Sequence, residues 1–214
     1  MRLDRLRRAL REGDSVRDED FDDVLPLEYR RLSTRFWTPV RAARRASQWL
    51  EREGALRVLD VGAGVGKFCV VGALGTRRTR FIGVEHRKAL AQVASDVASM
   101  LGARRATIFH GHLEDVDIRS YDAFYFFNPF AENVIPSAPQ PDDSVELSSE
   151  RFQRDIGLAE RLLIQAPAGT PVVTYCGYGK NMPHDYRLVC DEYHAGPLRL
   201  WVKDPFLEAD VVRR

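Results

Sequence analysis

Between Arg57 and Phe68 the chain reads RVLDVGAGVGKF. Gly62, Gly64 and Gly66 alternate with small apolar residues behind a short apolar run that carries Asp60. An ordered glycine gives up more conformational freedom than any other residue, so this cluster marks a tight turn, a close backbone approach, or both. An apolar run, a glycine turn and an apolar stretch from Lys67 together read as strand, loop and helix. That unit sets backbone N–H groups and a helix N-terminus against a ligand.

The same alternation continues downstream. Strands are predicted at Arg57–Val61, Arg80–Glu85, Ala106–Phe109, Ala123–Phe127 and Pro171–Cys176, with helices at Lys67–Leu74, Arg87–Leu101 and Ser149–Gln165. In RKALAQVASDVASMLG, Leu90, Val93, Val97 and Leu101 recur every three or four residues, and Gly102 stands where a helix-ending glycine belongs. Strands alternating with helices of this length imply a parallel sheet covered on both faces. The tail differs: Tyr186–Tyr193 and Leu198–Lys203 read as two strands around a turn at His194-Ala195-Gly196-Pro197. Residues 1–55 read as helices. Leu3, Leu6 and Leu10 make a short amphipathic helix, GDSVRDEDFDD reads as a connection, and a further helix starts with Thr38 as capping hydroxyl and Pro39 in its first turn. Val40, Ala43, Trp49 and Leu50 would line its buried side. The Pro-rich stretch Ile135–Ser144 is long enough to serve as a lid or acceptor loop.

Composition narrows the function classes. A chain of 214 residues fits one domain with a real core, and 44% hydrophobic with 29% charged residues is globular composition. A net charge of +1 gives no overall field pointing to nucleic acid. No run approaches the ~20 apolar residues of a membrane helix, and MRLDRLRRALREGD has no apolar core of a secretory signal. Cys69, Cys176 and Cys190 are odd in number and widely spaced, which suits a reduced cytoplasmic setting and forms no zinc pattern.

The glycine loop has the form D-x-G-x-G-x-G, whereas the dinucleotide fingerprint is G-x-G-x-x-G. A second acid, Glu85, ends the next strand in FIGVE. Together they resemble motif I and the following acid of class I S-adenosylmethionine (SAM) methyltransferases, over roughly Phe36 to Lys203. The resemblance implies an α/β, three-layer Rossmann-like sandwich with a seven-stranded, mostly parallel sheet, an antiparallel last strand and extra N-terminal helices. Residues 1–55 would be a helical extension covering the cofactor side, and 56–214 the methyltransferase domain, in one structural unit. It implies SAM as cofactor and S-adenosylhomocysteine as product. Asp60, Gly62, Ala63, Gly64 and Gly66 would cradle the amino-acid end, with Asp60 supporting the loop or holding the ammonium group. Glu85, followed by His86, would take the ribose. Such enzymes often carry an acid for the adenine amino group after the third strand. Here FHGHLEDVD puts His112 in that place, next to Leu113, whose backbone would read the adenine edge. His110 and His112 have no third ligand at a metal spacing, so no metal is expected.

The fourth strand ends FYFFNPFAENV. Asn128-Pro129-Phe130 resembles the (Asn/Asp)-Pro-Pro-(Tyr/Phe) motif of amino-group methyltransferases without its second proline. The resemblance makes Asn128, Pro129 and Phe130 the catalytic candidates, with Asn128 also facing the cofactor and Phe130, Glu132, Tyr175 and Tyr178 facing the acceptor. It implies a nitrogen acceptor, on a protein side chain or small-molecule amine ahead of nucleic acid. DVGAGVGKF…GVEHR also resembles the pattern of non-SET histone lysine methyltransferases, a second pointer to nitrogen. Other readings stay open. Asn128 can be a plain turn residue. Phe36 and Trp37 can cover the cofactor or pack the core, and so can Tyr175 and Tyr178. Glu132 can take a proton, pair with a cation, or be solvated. Arg30, Arg31, Arg35, Arg41, Arg44 and Arg45 can touch phosphates or form a solvated face. A non-catalytic SAM-binding regulator would keep every cofactor residue, and an NAD-linked oxidoreductase is the other alternative.

Overall fold

The structure, a computed structural model, describes residues 3–134 and 140–204. Seven strands form one sheet: β1 (Arg57–Val61), β2 (Arg80–Glu85), β3 (Ala106–His110), β4 (Ala123–Phe127), β5 (Pro171–Tyr175), β6 (Tyr186–Tyr193) and β7 (Pro197–Lys203). Their spatial order is β3-β2-β1-β4-β5-β7-β6. The first five are mutually parallel, and β7 runs antiparallel between β5 and β6. The strand bounds agree with the sequence expectation to within one residue at each end. So do those of α6 (Lys67–Gly75), α7 (Lys88–Met100) and α8 (Ser149–Gln165).

The pleat divides the core in two. Successive strand residues point to opposite faces. Ala123 and Tyr125 therefore pack with the N-terminal helices, α6 and α7, while Phe124 and Phe126 pack with Ile156, Ala159, Leu162 and Leu163 of α8. Strands buried on both faces read as continuous apolar runs, as AFYFF and PVVTY do. The sheet order reverses between β1 and β4, and in open α/β sheets the crevice outside the carboxyl ends of such strands is where ligands bind.

The N-terminal residues share this core. Leu6 and Leu10 of α1 (Leu3–Glu12) and Val40, Ala43, Trp49 and Leu50 of α5 (Val40–Arg52) are buried in the same cluster as Val58 and Phe81. Two local expectations are corrected. GDSVRDEDFDD is not merely a connection, because Asp18–Asp22 forms α2. Three acids in its first turn suit the positive end of the helix dipole, and Phe21 buries its apolar side. Thr38 does not cap α5. Pro39 occupies the N-cap position, the Val40 N–H donates to Asp18 Oδ1 at 2.8 Å, and the Thr38 hydroxyl meets the Tyr125 hydroxyl at 2.9 Å. Two short helices, α3 (Leu27–Arg30) and α4 (Ser33–Phe36), complete the N-terminal segment. Of the Pro-rich stretch Ile135–Ser144, residues 135–139 lie outside the described residues. Among the described residues no helix is long and apolar enough to cross a membrane.

Candidate active site

All three loop glycines adopt positive φ: +74° at Gly62, +55° at Gly64 and +74° at Gly66. Left-handed backbone costs an ordinary L-residue roughly 1–2 kcal/mol, which explains the residue type at each turn of this loop. Space adds a second reason. A Cβ on Gly62 would fall 2.8 Å from Pro129 Cβ, and one on Gly64 would fall 2.6 Å from Trp37 Cζ3. The close approach at the loop is therefore made by two of the protein's own rings. Gly66 faces Ala94, and the Ala63 methyl fills the place of a side chain on Gly83. Those two residues pack the loop onto α7 and β2.

The loop opens onto a cleft enclosing about 180 Å³ at the carboxyl ends of β1, β2 and β4. Gly62, Gly64, Glu85, His86, His112 and Leu113 wall it on one side, and Asn128, Pro129, Phe130 and Glu132 on the other. Phe36 and Trp37 border it too, with Arg35 exposed at the same wall. Of the two readings left open for Phe36 and Trp37, the structure thus supports both, since Trp37 is also buried in the core.

Glu85 is buried, with Oε2 accepting the Gly64 N–H at 2.8 Å and Oε1 the Arg87 N–H at 2.9 Å. Burial pushes its pKa up, against the pull of His86 and of these two N–H groups. Asp60 lies behind the loop, bordering a second, small cavity with Thr38 and Lys67 and no part of the main cleft. It accepts a hydrogen bond from Cys69 Sγ at 3.4 Å, and burial raises its pKa to about 7 despite that bond.

Asn128 sits at the end of β4 with φ +37°, a backbone region that Asn tolerates better than most residues. Its N–H donates to Gly177 O at 2.8 Å, which fixes the turn against the segment after β5. Glu132 is not a solvated loop carboxylate. Its side chain is 11% exposed, with Oε2 2.9 Å from Arg87 Nη2 and Oε1 3.1 Å from His86 Nε2. Burial alone would raise its pKa, but the His86 hydrogen bond and the Arg87 charge outweigh it and hold the carboxyl below its ordinary value. Arg151 Nη2 lies 3.0 Å from His86 Nδ1. A guanidinium can only donate, so Nδ1 accepts and Nε2–H donates to Glu132.

The chain's relatives bear on this geometry. No protein-family profile matches it. Over 72 residues it is 36% identical to the 23S rRNA (uracil(1939)-C(5))-methyltransferase RlmD of Klebsiella pneumoniae (strain 342), a match covering 34% of this chain and 16% of that protein. The chain thus spans under a fifth of the length of the curated relative it matches. In structure it is similar to a putative O-methyltransferase from Klebsiella pneumoniae (TM-score 0.58, 13% identity, 94% of this chain and 96% of the other). It is also similar to an RNA methyltransferase from Salinibacter ruber solved with S-adenosyl-L-homocysteine (TM-score 0.55, 21% identity, 78% and 94%). A third is the O-methyltransferase from Bacillus cereus, in complex with the same product (TM-score 0.56, 11% identity, 93% and 97%). The chain has the class I methyltransferase fold.

Within this class I methyltransferase fold, most of the expected site residues come together and a few do not. Tyr175 and Tyr178 are buried away from the cleft. The Tyr175 hydroxyl donates to His194 O at 2.7 Å and the Tyr178 hydroxyl to Asn181 O at 2.8 Å, so both have structural uses. Three residues of the site carried no decisive sequence signal. Arg87 is fully buried, with Nη1 donating to Asp142 O at 2.7 Å and Asp142 Oδ1 at 2.5 Å in addition to its Glu132 contact. Lys67 is fully buried beside the loop. Trp37 was legible only as an aromatic near the helix. The partners of Arg87 and Lys67 lie tens of residues away in sequence, where no periodicity links them.

Proposed function

We propose that the chain is a SAM-dependent methyltransferase acting on nitrogen, with a protein side chain or small-molecule amine held beside Asn128. One observation carries this reading: a single cleft joins the positive-φ glycine loop, the buried Glu85 and Asn128. The residues fit the cofactor. Each Glu85 oxygen spends one lone pair on a backbone N–H and keeps another for a ribose hydroxyl. The loop and the start of α6 offer N–H groups to a carboxylate. His112 and Leu113 border the place for the adenine, and Asp60 supports the loop from behind.

When bound, SAM supplies a methyl group already activated on a sulfonium. The chain's own task is then orientation and exclusion of water, which together are worth many orders of magnitude in rate. Asn128 accepts hydrogen bonds from the amine through its carboxamide oxygen and directs the lone pair into the cleft. Phe127, Pro129 and Phe130 keep that end dry. The reaction belongs in a reducing cytoplasm, consistent with three cysteines that form no disulfide among the described residues.

A nucleic-acid acceptor is the second reading. Arg35 is exposed on the cleft wall, and two of the matched proteins are named as RNA methyltransferases. Calorimetry with SAM, S-adenosylhomocysteine and NAD tests the cofactor: the two sulfur compounds bind and NAD does not. Binding of neither sulfur compound defeats the proposal. Transfer of labelled methyl to a lysine peptide, a small amine or RNA then decides the acceptor. Loss of transfer in Asn128→Ala separates an enzyme from a SAM-binding regulator.

A further inference from the structure

Lys67 is the first residue of α6, directly after Gly66, and its side chain is 1% exposed. Two physical terms oppose a lysine there. Burial disfavours its charge, and a cation at a helix N-terminus meets the positive end of the dipole. The structure offsets both from one source. Nζ lies 2.6 Å from Asp18 Oδ1 and 2.8 Å from Asp22 Oδ1, both on α2, and 5.3 Å from the Phe21 ring centre. The Ser33 hydroxyl of α4 adds a contact at 3.4 Å. Lys67 does not wall the main cleft, so its charge is spent on the N-terminal segment.

That segment reaches back to the loop. The Trp37 indole N–H donates to Tyr29 O at 2.8 Å, and its ring lies against Gly64. Asp18 also takes the Val40 N–H, so one carboxylate ties α5, α2 and the loop helix together. Residues 18–38 therefore touch the glycine loop twice, by charge behind Gly66 and by an aromatic face on Gly64.

We infer that Lys67 is a positioning residue for the cofactor site: its pairing with Asp18 and Asp22 docks the 18–38 segment, which holds the glycine loop and the Trp37 wall in the shape that takes the cofactor. This rests on the cofactor reading above. It makes the N-terminal segment a working wall of the site, and it couples cofactor binding to docking of that segment.

The test uses the full chain with S-adenosylhomocysteine as probe, followed by calorimetry and by hydrogen exchange over residues 18–38 and over the sheet. Wild-type binding with the segment slowed by the probe is expected. Lys67→Met, and the Lys67→Met/Asp22→Asn double variant that removes both buried charges together, should keep sheet protection. Both should lose about tenfold or more in affinity, with exchange in 18–38 fast and no longer responsive to the probe. Lys67→Arg should restore part of the affinity. Affinity within twofold of wild type in the double variant overturns the inference, as does a segment whose exchange ignores the probe in the wild type. Failure of the wild type to bind overturns the cofactor reading itself and is seen separately.

Discussion

The Trp37 ring occupies the place a side chain on Gly64 would need, with Cζ3 and Cε3 at 2.6 and 2.9 Å from an added Cβ. Two residues from opposite ends of an N-terminal segment and a strand turn have thus fixed each other's identity. Gly64→Ala should destabilise the fold by roughly 2–4 kcal/mol, from left-handed strain plus overpacking. In a Trp37→Ala background the same change should cost only about 1 kcal/mol, because strain alone remains. Denaturant unfolding of the four proteins in the cycle measures this. Strictly additive losses would show that ring and loop do not meet.

Asn128 combines a positive φ with a place on the cleft wall. Asn128→Ala should lower stability by about 1 kcal/mol, since Ala tolerates that backbone poorly. It should lower methyl transfer by about 10²-fold or more while cofactor affinity stays within a few-fold. Asn128→Gly relieves the strain yet lacks the carboxamide. It should melt near wild type and still fail to transfer. Transfer by the Gly variant at the wild-type rate would assign Asn128 to the turn alone.

Asp60 gives a pH prediction. Its folded pKa, raised by burial to about 7, lies above the unfolded carboxyl value. The folded state then holds a proton that the unfolded state releases, so stability falls as pH rises from about 4 to about 7 and levels off above. At pH 8 the ionised group costs the fold on the order of a few kcal/mol. Asp60→Asn removes the titration and keeps an oxygen for the Cys69 thiol. It should melt higher than wild type at pH 8 and lose that advantage at pH 5. Thermal unfolding at the two pH values reads it, and an advantage equal at both would contradict the burial argument.

Arg87 is the only charge-bearing side chain named here that links the end of β2 to both Glu132 and Asp142. Arg87→Met leaves Glu132 buried with only its His86 hydrogen bond, and should cost about 3 kcal/mol. Adding Glu132→Gln removes the uncompensated charge and should recover part of that loss. Chemical unfolding of the single and double variants compares them, and a further loss in the double variant would mean that the pair does not act as one unit.

The local part of this protein was open to reading. Alternating apolar runs and helical periodicity gave the strands and their order of succession, because each depends on neighbours two to four residues away. The left-handed turns at Gly62, Gly64 and Gly66 follow from residue type. Asp60, Glu85 and Asn128 each stand at or near a strand end, so a parallel sheet was enough to gather their elements at one edge.

Contact across the layers was decided only in three dimensions. The pleat turned Tyr175 toward the N-terminal helices and its hydroxyl onto His194 O, away from the acceptor side. Glu132 became a buried partner of Arg87 and His86 because the loop after β4 folds back on the end of β2. Lys67 found Asp22 across 45 residues, and Trp37 closed on Gly64. Such pairings leave no trace in sequence periodicity. They depend on how packed helices bring distant side chains within a few ångströms, where burial makes each charge require a partner and each glycine admit a ring.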